Sequence, residues 1–263
     1  MISDYLPNIR GLIIDMDGVL WRDTEPIGDL PAIFKQIKDY GLRFILATNN
    51  ASRNISQHQD KLARFGVEVD VEQIINSSQA VGIYLQENFP EDIKVFVLGQ
   101  PSLVSTLEDY GIQVVDESEP IVDIVVASID FNLTYDKLSH ASLLVQAGST
   151  FIGTNPDVTL PTPDGFVPGA GTVIGALEIA SGKKAKILGK PEAGLYEMAL
   201  RRLQLKPGET LAIGDRLETD IAGAQKAGIF SALVLSGAST HEQAQAFDPS
   251  PDIIVQNLSE LVF

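Results

Sequence analysis

Two carboxylates stand two residues apart in Asp15-Met16-Asp17-Gly18-Val19, directly after the apolar run Leu12-Ile13-Ile14. In extended backbone, side chains at i and i+2 point to the same side. The pair could therefore share a magnesium ion or divide the work of nucleophile and general acid/base. Alone, an Asp-x-Asp-Gly string also describes a solvated turn; the apolar run before it favours chemistry, because such a strand presents its last carboxylate at a sheet edge. Three more clusters have the same form. Thr48-Asn49-Asn50 offers a hydroxyl, two amides and backbone N–H groups ahead of a helix, which is either a cradle for a small anion or an ordinary helix cap. Lys190, in Gly189-Lys190-Pro191, puts an ammonium after an apolar stretch at a point where Pro191 forbids a continuing ladder, although most lysines are surface residues. In Gly214-Asp215-Arg216-Leu217-Glu218-Thr219-Asp220, Asp215 could give a magnesium ion a second hard oxygen ligand and Asp220 could support it; the plainer alternative is that Thr219 or Asp220 caps a helix.

The elements that must position these groups alternate between short apolar runs and stretches of helical period, the pattern of an α/β protein with a mostly parallel sheet. Strands are expected at Leu12 to Ile14, Phe44 to Ala47, from Ile74, at Ile187-Leu188, Thr210 to Ile213, Ala232 to Leu235 and Ile253 to Val255. Helices are expected at Pro31 to Tyr40, Ser56 to Phe65, Leu195 to Leu203 and Thr219 to Ala227. Three of these strands break into polar residues at their C-terminal ends, where open α/β sheets bind ligands. A second alternation fills the middle, so residues 1–75 and 185–263 are expected to form a discontinuous core with an α/β domain, 76–184, inserted in it. Its stretch from Gly153 to Gly171 is rich in glycine and proline and reads as a long structured loop, of the kind that is usually functional.

With 263 residues, 44% apolar and 21% charged, the chain can bury a core and is neither disordered nor fibrous. The absence of cysteine excludes a disulfide framework, thiolate metal sites and a cysteine nucleophile. A net charge of −16 should repel nucleic acid and anionic membrane. No apolar run approaches the roughly 18 residues of a membrane helix, and Met1 to Arg10 lacks the pattern of a signal peptide, so a cytoplasmic location is expected.

Taken together and in this order, the four clusters resemble the haloacid dehalogenase superfamily of aspartate-dependent phosphohydrolases, whose motifs are an Asp-x-Asp, a Ser or Thr, a Lys and a Gly-Asp turn. More narrowly, Asp15-Met16-Asp17-Gly18-Val19-Leu20-Trp21, Thr48-Asn49-Asn50, Gly153-Thr154-Asn155-Pro156-Asp157, Gly189-Lys190-Pro191 and Gly214-Asp215 to Ile221 resemble the class IIA capped branch. That branch holds nitrophenylphosphatases, NagD-like proteins, and phosphoglycolate and pyridoxal phosphate phosphatases.

The resemblance implies a Rossmann-like parallel-sheet core with an inserted α/β cap, and a Mg²⁺-dependent phosphatase acting on a small phosphorylated metabolite. Asp15 would be the nucleophile and Asp17 the acid/base. Mg²⁺ would be held by the side chains of Asp15 and Asp215 and the backbone carbonyl of Asp17, with Asp220 behind them. Thr48, Asn49, Asn50 and Lys190 would hold the phosphoryl oxygens. The cap loop would read the leaving group, with Asn155 and Asp157 either contacting substrate or pinning the loop, and Arg53 either reaching phosphate or lying on the surface. Trp21 is expected to pack under the cap hinge, and His58, His140 and His241 lack ligand spacing, so none is expected to bind metal. Caps in this branch often mediate dimers, which is compatible with a homodimer. A phosphotransferase using the same intermediate and a non-catalytic phospho-ligand binder are the competing readings.

The charge is uneven. Residues 76–184 carry 14 acidic and 4 basic side chains, a net of −10, and no arginine, against a net of −6 in the rest. An acidic insert with Asp157 and Asp164 on its loop should disfavour a substrate bearing a second phosphate.

Overall fold

The computed structural model describes residues 6–162 and 165–263, so Asp164 and the first half of Met1 to Arg10 lie outside the described residues. The chain divides into two compact units. The first contains the described residues up to Thr48, Ile55–Ile75 and Lys190–Phe263; the second contains Asn49–Asn54 and Asn76–Gly189.

The first unit is built on a six-stranded sheet in the order Ile253–Val255, Phe230–Val234, Thr210–Gly214, Gly11–Ile14, Arg43–Thr48, Ile74–Asn76. The pairings from Ile253–Val255 across to Arg43–Thr48 are parallel. Its central strands are buried along their whole length, as continuous apolar runs covered on both faces must be. Leu12, Ile14, Leu46 and Ile213 pack with Ile33, Ile37, Leu62 and Leu258 in one apolar core. The helix Leu30–Asp39 starts where expected, with Asp29 accepting from the Ala32 N–H and proline in its first turn.

The second unit carries a five-stranded sheet in the order Lys186–Ile187, Thr150–Gly153, Ile124–Ala127, Lys94–Leu98, Gln113–Val115, parallel throughout. Part of the expected loop folds into an antiparallel hairpin, Thr159–Thr162 with Gly165–Pro168. The sheet has apolar residues on both faces, Phe96, Val125 and Phe151 on one side and Val95, Val126 and Ile152 on the other.

Two expectations need correction. The apolar stretch at Ile187-Leu188 is expected in the core sheet, but Lys186–Ile187 pairs with Thr150–Gly153 in the second unit's sheet, and the chain returns to the first unit at Lys190. A two-residue apolar run carries no information about which sheet it joins. The helix expected from Thr219 begins instead as a π-helical turn, Leu217–Ile221, followed by Ala222–Lys226.

Candidate active site

Three strand ends of the first unit converge. Asp15 continues the strand Gly11–Ile14, its N–H donating to the Ile213 carbonyl at 2.8 Å, so its backbone is still held by the sheet. Asp215 follows Thr210–Gly214, and Thr48 closes Arg43–Thr48. Lys190 enters from the other side of the sequence. Its Nζ donates to Asp15 Oδ1 at 2.5 Å, to Asp220 Oδ1 at 2.5 Å and to the Ala47 carbonyl at 3.0 Å. An ammonium has three N–H groups, and three acceptors meet them here. The ammonium, Asp15, Asp215 and Asp220 are all buried.

The π-helical turn explains how Asp220 reaches this point. Both the Asp220 and Ile221 N–H groups donate to the Arg216 carbonyl, a widened turn of the kind often found at functional sites. It brings Asp220 Oδ2 under the Arg216 N–H at 3.1 Å while Oδ1 faces Lys190. Tyr196 fastens the same turn through its hydroxyl, which donates to the Asp220 carbonyl at 2.7 Å.

Asp215 is gripped by backbone. Its Oδ2 accepts from the Ala238 N–H at 2.7 Å, and its own carbonyl accepts from Ser239 N–H. Two glycines make this approach sterically possible: a Cβ at Gly237 would lie 1.9 Å from Asp215 Oδ2, and one at Gly18 2.3 Å from it. Gly18 has the further constraint of φ +85°.

Oxygen atoms of Asp15, Asp215 and Asp220 lie within 4.8 Å of one another. Three buried carboxylates facing one ammonium leave excess negative charge, and the titration of the group reflects it. Burial pushes the Asp15 carboxyl well up against the pull of Lys190, with Asp220 and Asp215 adding to the rise. Burial and the Asp220 charge push Asp215 to about 7. Burial alone would lower Lys190, but the Asp15 and Asp220 carboxylates outweigh it and hold the ammonium well above its usual range. Hard oxygen donors with surplus negative charge fit a divalent cation such as Mg²⁺.

Asp17 stands apart from this trio. Its side chain is partly exposed and accepts from Trp21 Nε1 at 2.7 Å. Trp21 itself lies in the first unit's core against Phe65, and its bond to Asp17 has no signal in the local sequence. The Ser236-Gly237-Ala238-Ser239 turn was also missed; its composition after an apolar strand was the available signal.

Asn49, Asn50, Arg53, Asn155 and Asp157 lie in the second unit. Asn49 Nδ2 donates to Asp157 Oδ2 at 3.1 Å, and Asn155 Nδ2 donates to the Asn49 carbonyl at 2.7 Å. Asp157 N–H returns to Asn155 Oδ1 at 3.1 Å. These bonds tie the start of the loop to Asn49. Asn50 Oδ1 accepts from both the N–H and the hydroxyl of Ser52, closing a local turn. Arg53 is exposed. The three histidines occupy three different helices, His140 packing edge-on to Phe96.

The sequence matches the family model described as haloacid dehalogenase-like hydrolase over residues 12–113 and a second, related hydrolase-like model over residues 187–261. It is 32% identical to the 5′-nucleotidase YutF of Bacillus subtilis, over 96% of this chain and 97% of that one. The chain belongs to the haloacid dehalogenase-like hydrolases. Among solved structures, the hydrolase is similar to a 4-nitrophenylphosphatase from Thermotoga maritima, with a TM-score of 0.91, 32% identity and 98% of each chain covered. It is also similar to a glycerol phosphate phosphatase from Mycobacterium tuberculosis in complex with magnesium, with a TM-score of 0.90 and 30% identity over 97% of this chain and 76% of that one. No helix of this hydrolase, among the described residues, is long and apolar enough to cross a membrane.

Proposed function

We propose that this magnesium-dependent phosphatase hydrolyses small-molecule phosphate monoesters through an aspartyl-phosphate on Asp15. The observation that carries the reading is the contact of Asp15 with Lys190 beside Asp215 and Asp220, at the ends of neighbouring parallel strands. Asp15, Asp215 and the Asp17 carbonyl would hold Mg²⁺, with Asp220 supporting them, and the ion would supply charge neutralisation between the phosphate and the carboxylates.

The chain's own groups divide the remaining work. A carboxylate oxygen of Asp15 attacks phosphorus and the bond to the leaving oxygen breaks. The Lys190 ammonium lowers the repulsion between that carboxylate and the phosphate, and, with the Thr48 hydroxyl, holds phosphoryl oxygens. Asp17 gives its proton to the departing alkoxide, then takes one from the water that cleaves the aspartyl-phosphate, so it ends as it began. Asp15 is released and phosphate leaves. Uncatalysed monoester hydrolysis is so slow that these effects together must lower the barrier by about 20 kcal/mol or more.

The relatives' names span a nucleotide, an aryl phosphate and glycerol phosphate as substrates. For this chain we favour monophosphates of hydroxylated or neutral-ring compounds, because residues 76–184 have no arginine and a net charge of −10. A metabolite panel tests this, and preference for a bisphosphate over its monophosphate would overturn it. The absence of cysteine supports a reducing, cytoplasmic setting. Exposed Tyr135, Leu143 and Ile179, on helices that pack together, support a homodimer, which sedimentation of the native protein and of Ile179→Lys tests.

The reading as a whole is tested with nitrophenyl phosphate. Turnover should require Mg²⁺ and vanish in Asp15→Asn; turnover that survives that substitution overturns the mechanism.

A further inference from the structure

The phosphatase reading leaves the indole of Trp21 without a task. It is the single tryptophan of the chain, fully buried on the short strand Trp21–Arg22, and its N–H is aimed at a carboxylate. Nε1 donates to Asp17 Oδ1 at 2.7 Å. The loop between the two is closed by its backbone, Gly18 N–H donating to the Trp21 carbonyl at 2.8 Å and Leu20 N–H to the Met16 carbonyl at 2.9 Å. The ring is held in turn by Phe65, with centroids 5.8 Å apart, and by Lys61, whose Nζ lies 4.1 Å from the ring centroid and donates to the Asp23 carbonyl at 2.8 Å. A cation over the π face draws electron density from the ring and makes its N–H a better donor. Among the described residues, the indole is the hydrogen-bond donor that the Asp17 carboxylate has.

We propose that Trp21 is a positioning residue for the reaction: by holding Oδ1 it fixes the rotation of the Asp17 carboxyl and leaves Oδ2 to carry the proton. A carboxyl on a single rotatable bond at a partly exposed position samples many orientations, and a misplacement of about 1 Å can cost about 100-fold in rate. A buried indole N–H needs only some acceptor, and a backbone carbonyl would serve; its pairing with the carboxylate two residues beyond Asp15 places it in the proton path. The inference rests on Asp17 being the proton carrier. In the first step the Asp15 oxygen–phosphorus bond forms, the electron pair of the broken bond stays on the leaving oxygen, and the Asp17 proton joins it. An alkoxide needs that proton, whereas nitrophenolate departs without it.

The test removes the donor and nothing else. Replacing the indole of Trp21 by benzothiophene puts sulfur where Nε1–H stands and keeps the ring's shape, and having one tryptophan makes the replacement site-specific. We expect kcat/KM for the alkyl phosphate best used by the native enzyme to fall about tenfold to a hundredfold, and that for nitrophenyl phosphate less than twofold. A purely structural role would move both alike. Tryptophan emission of the native protein gives a readout without turnover: Asp17→Ala should shift it, because the indole N–H loses its acceptor. An unchanged alkyl-to-aryl ratio, or unchanged emission in Asp17→Ala, overturns the inference. If Asp15→Asn keeps its activity, or the native enzyme hydrolyses neither ester, the phosphatase reading fails and takes the inference with it.

Discussion

Lys190 donates to Asp15 at 2.5 Å, joining residues 175 positions apart in the chain. The contact is buried, and the same ammonium serves Asp220, so the fold of the first unit and the chemistry of its site depend on one side chain. Lys190→Met should therefore damage both. Removing one partner of a buried ionic group typically costs about 3–5 kcal/mol, and that loss should appear in urea unfolding near pH 8. It should shrink in acid, where the carboxylates left behind become protonated. A variant as stable as the native protein at pH 8 would contradict this.

Asp215 gives a pH dependence with a definite sign. Its carboxyl titrates at about 7 in the fold, against about 3.8 for an unperturbed aspartate. The folded state thus binds more protons than the unfolded state between these values. Its contribution to stability is present below about 4 and is lost as pH rises through about 7. Mg²⁺ favours the ionised carboxylate, so the rise in melting temperature on adding Mg²⁺ to chelator-treated protein should be larger at pH 8 than at pH 5.5. Equal increments at the two values would show that Asp215 does not titrate with ion binding.

Gly237 is the most sterically constrained neighbour of that carboxylate, with no room for a methyl group 1.9 Å from Oδ2. Gly237→Ala should push Asp215 out of place and weaken Mg²⁺ binding about 10–100-fold, measured by calorimetry. Gly41→Ala is the comparison for strain alone, since Gly41 has φ +68° and nothing within 4 Å of its missing Cβ. It should lose stability and keep its Mg²⁺ affinity; the same affinity in Gly237→Ala would mean that Asp215 is not a ligand.

Asp157 and Asn155 are expected to act on stability ahead of substrate affinity, because both are bonded to Asn49. Asn155→Ala removes one of the two donors to the Asn49 carbonyl, the Ser77 hydroxyl remaining, and should cost about 1 kcal/mol. Asp157→Ala should cost less, being only partly buried. A tenfold rise in KM for either variant with an unmoved melting temperature would instead make these residues substrate contacts.

What was legible in the sequence follows from strand ends. Asp15, Thr48 and Asp215 each close an apolar run, and a buried strand that turns polar at its C-terminal end must present that polar residue at the sheet edge. The same logic failed at Lys186–Ile187, where two residues were too short a signal to say which sheet they join. Contacts made by turns were invisible. The reach of Asp220 to Lys190 depends on a π-helical turn that local propensity does not reveal, and the Trp21 bond to Asp17 depends on a loop folded back through Gly18. Asn49 adjoins Thr48 in sequence, yet it belongs to the second unit and bonds there to Ser77, Asn155 and Asp157, a division that no periodicity announces.

The central claim is covalent, and trapping tests it most directly. Native enzyme mixed with a monoester carrying radiolabelled phosphate, quenched in acid within one turnover and digested, should yield label on the peptide containing Asp15. Asp15→Asn should yield none. Turnover without a labelled peptide, or label on a peptide lacking Asp15, would contradict the mechanism.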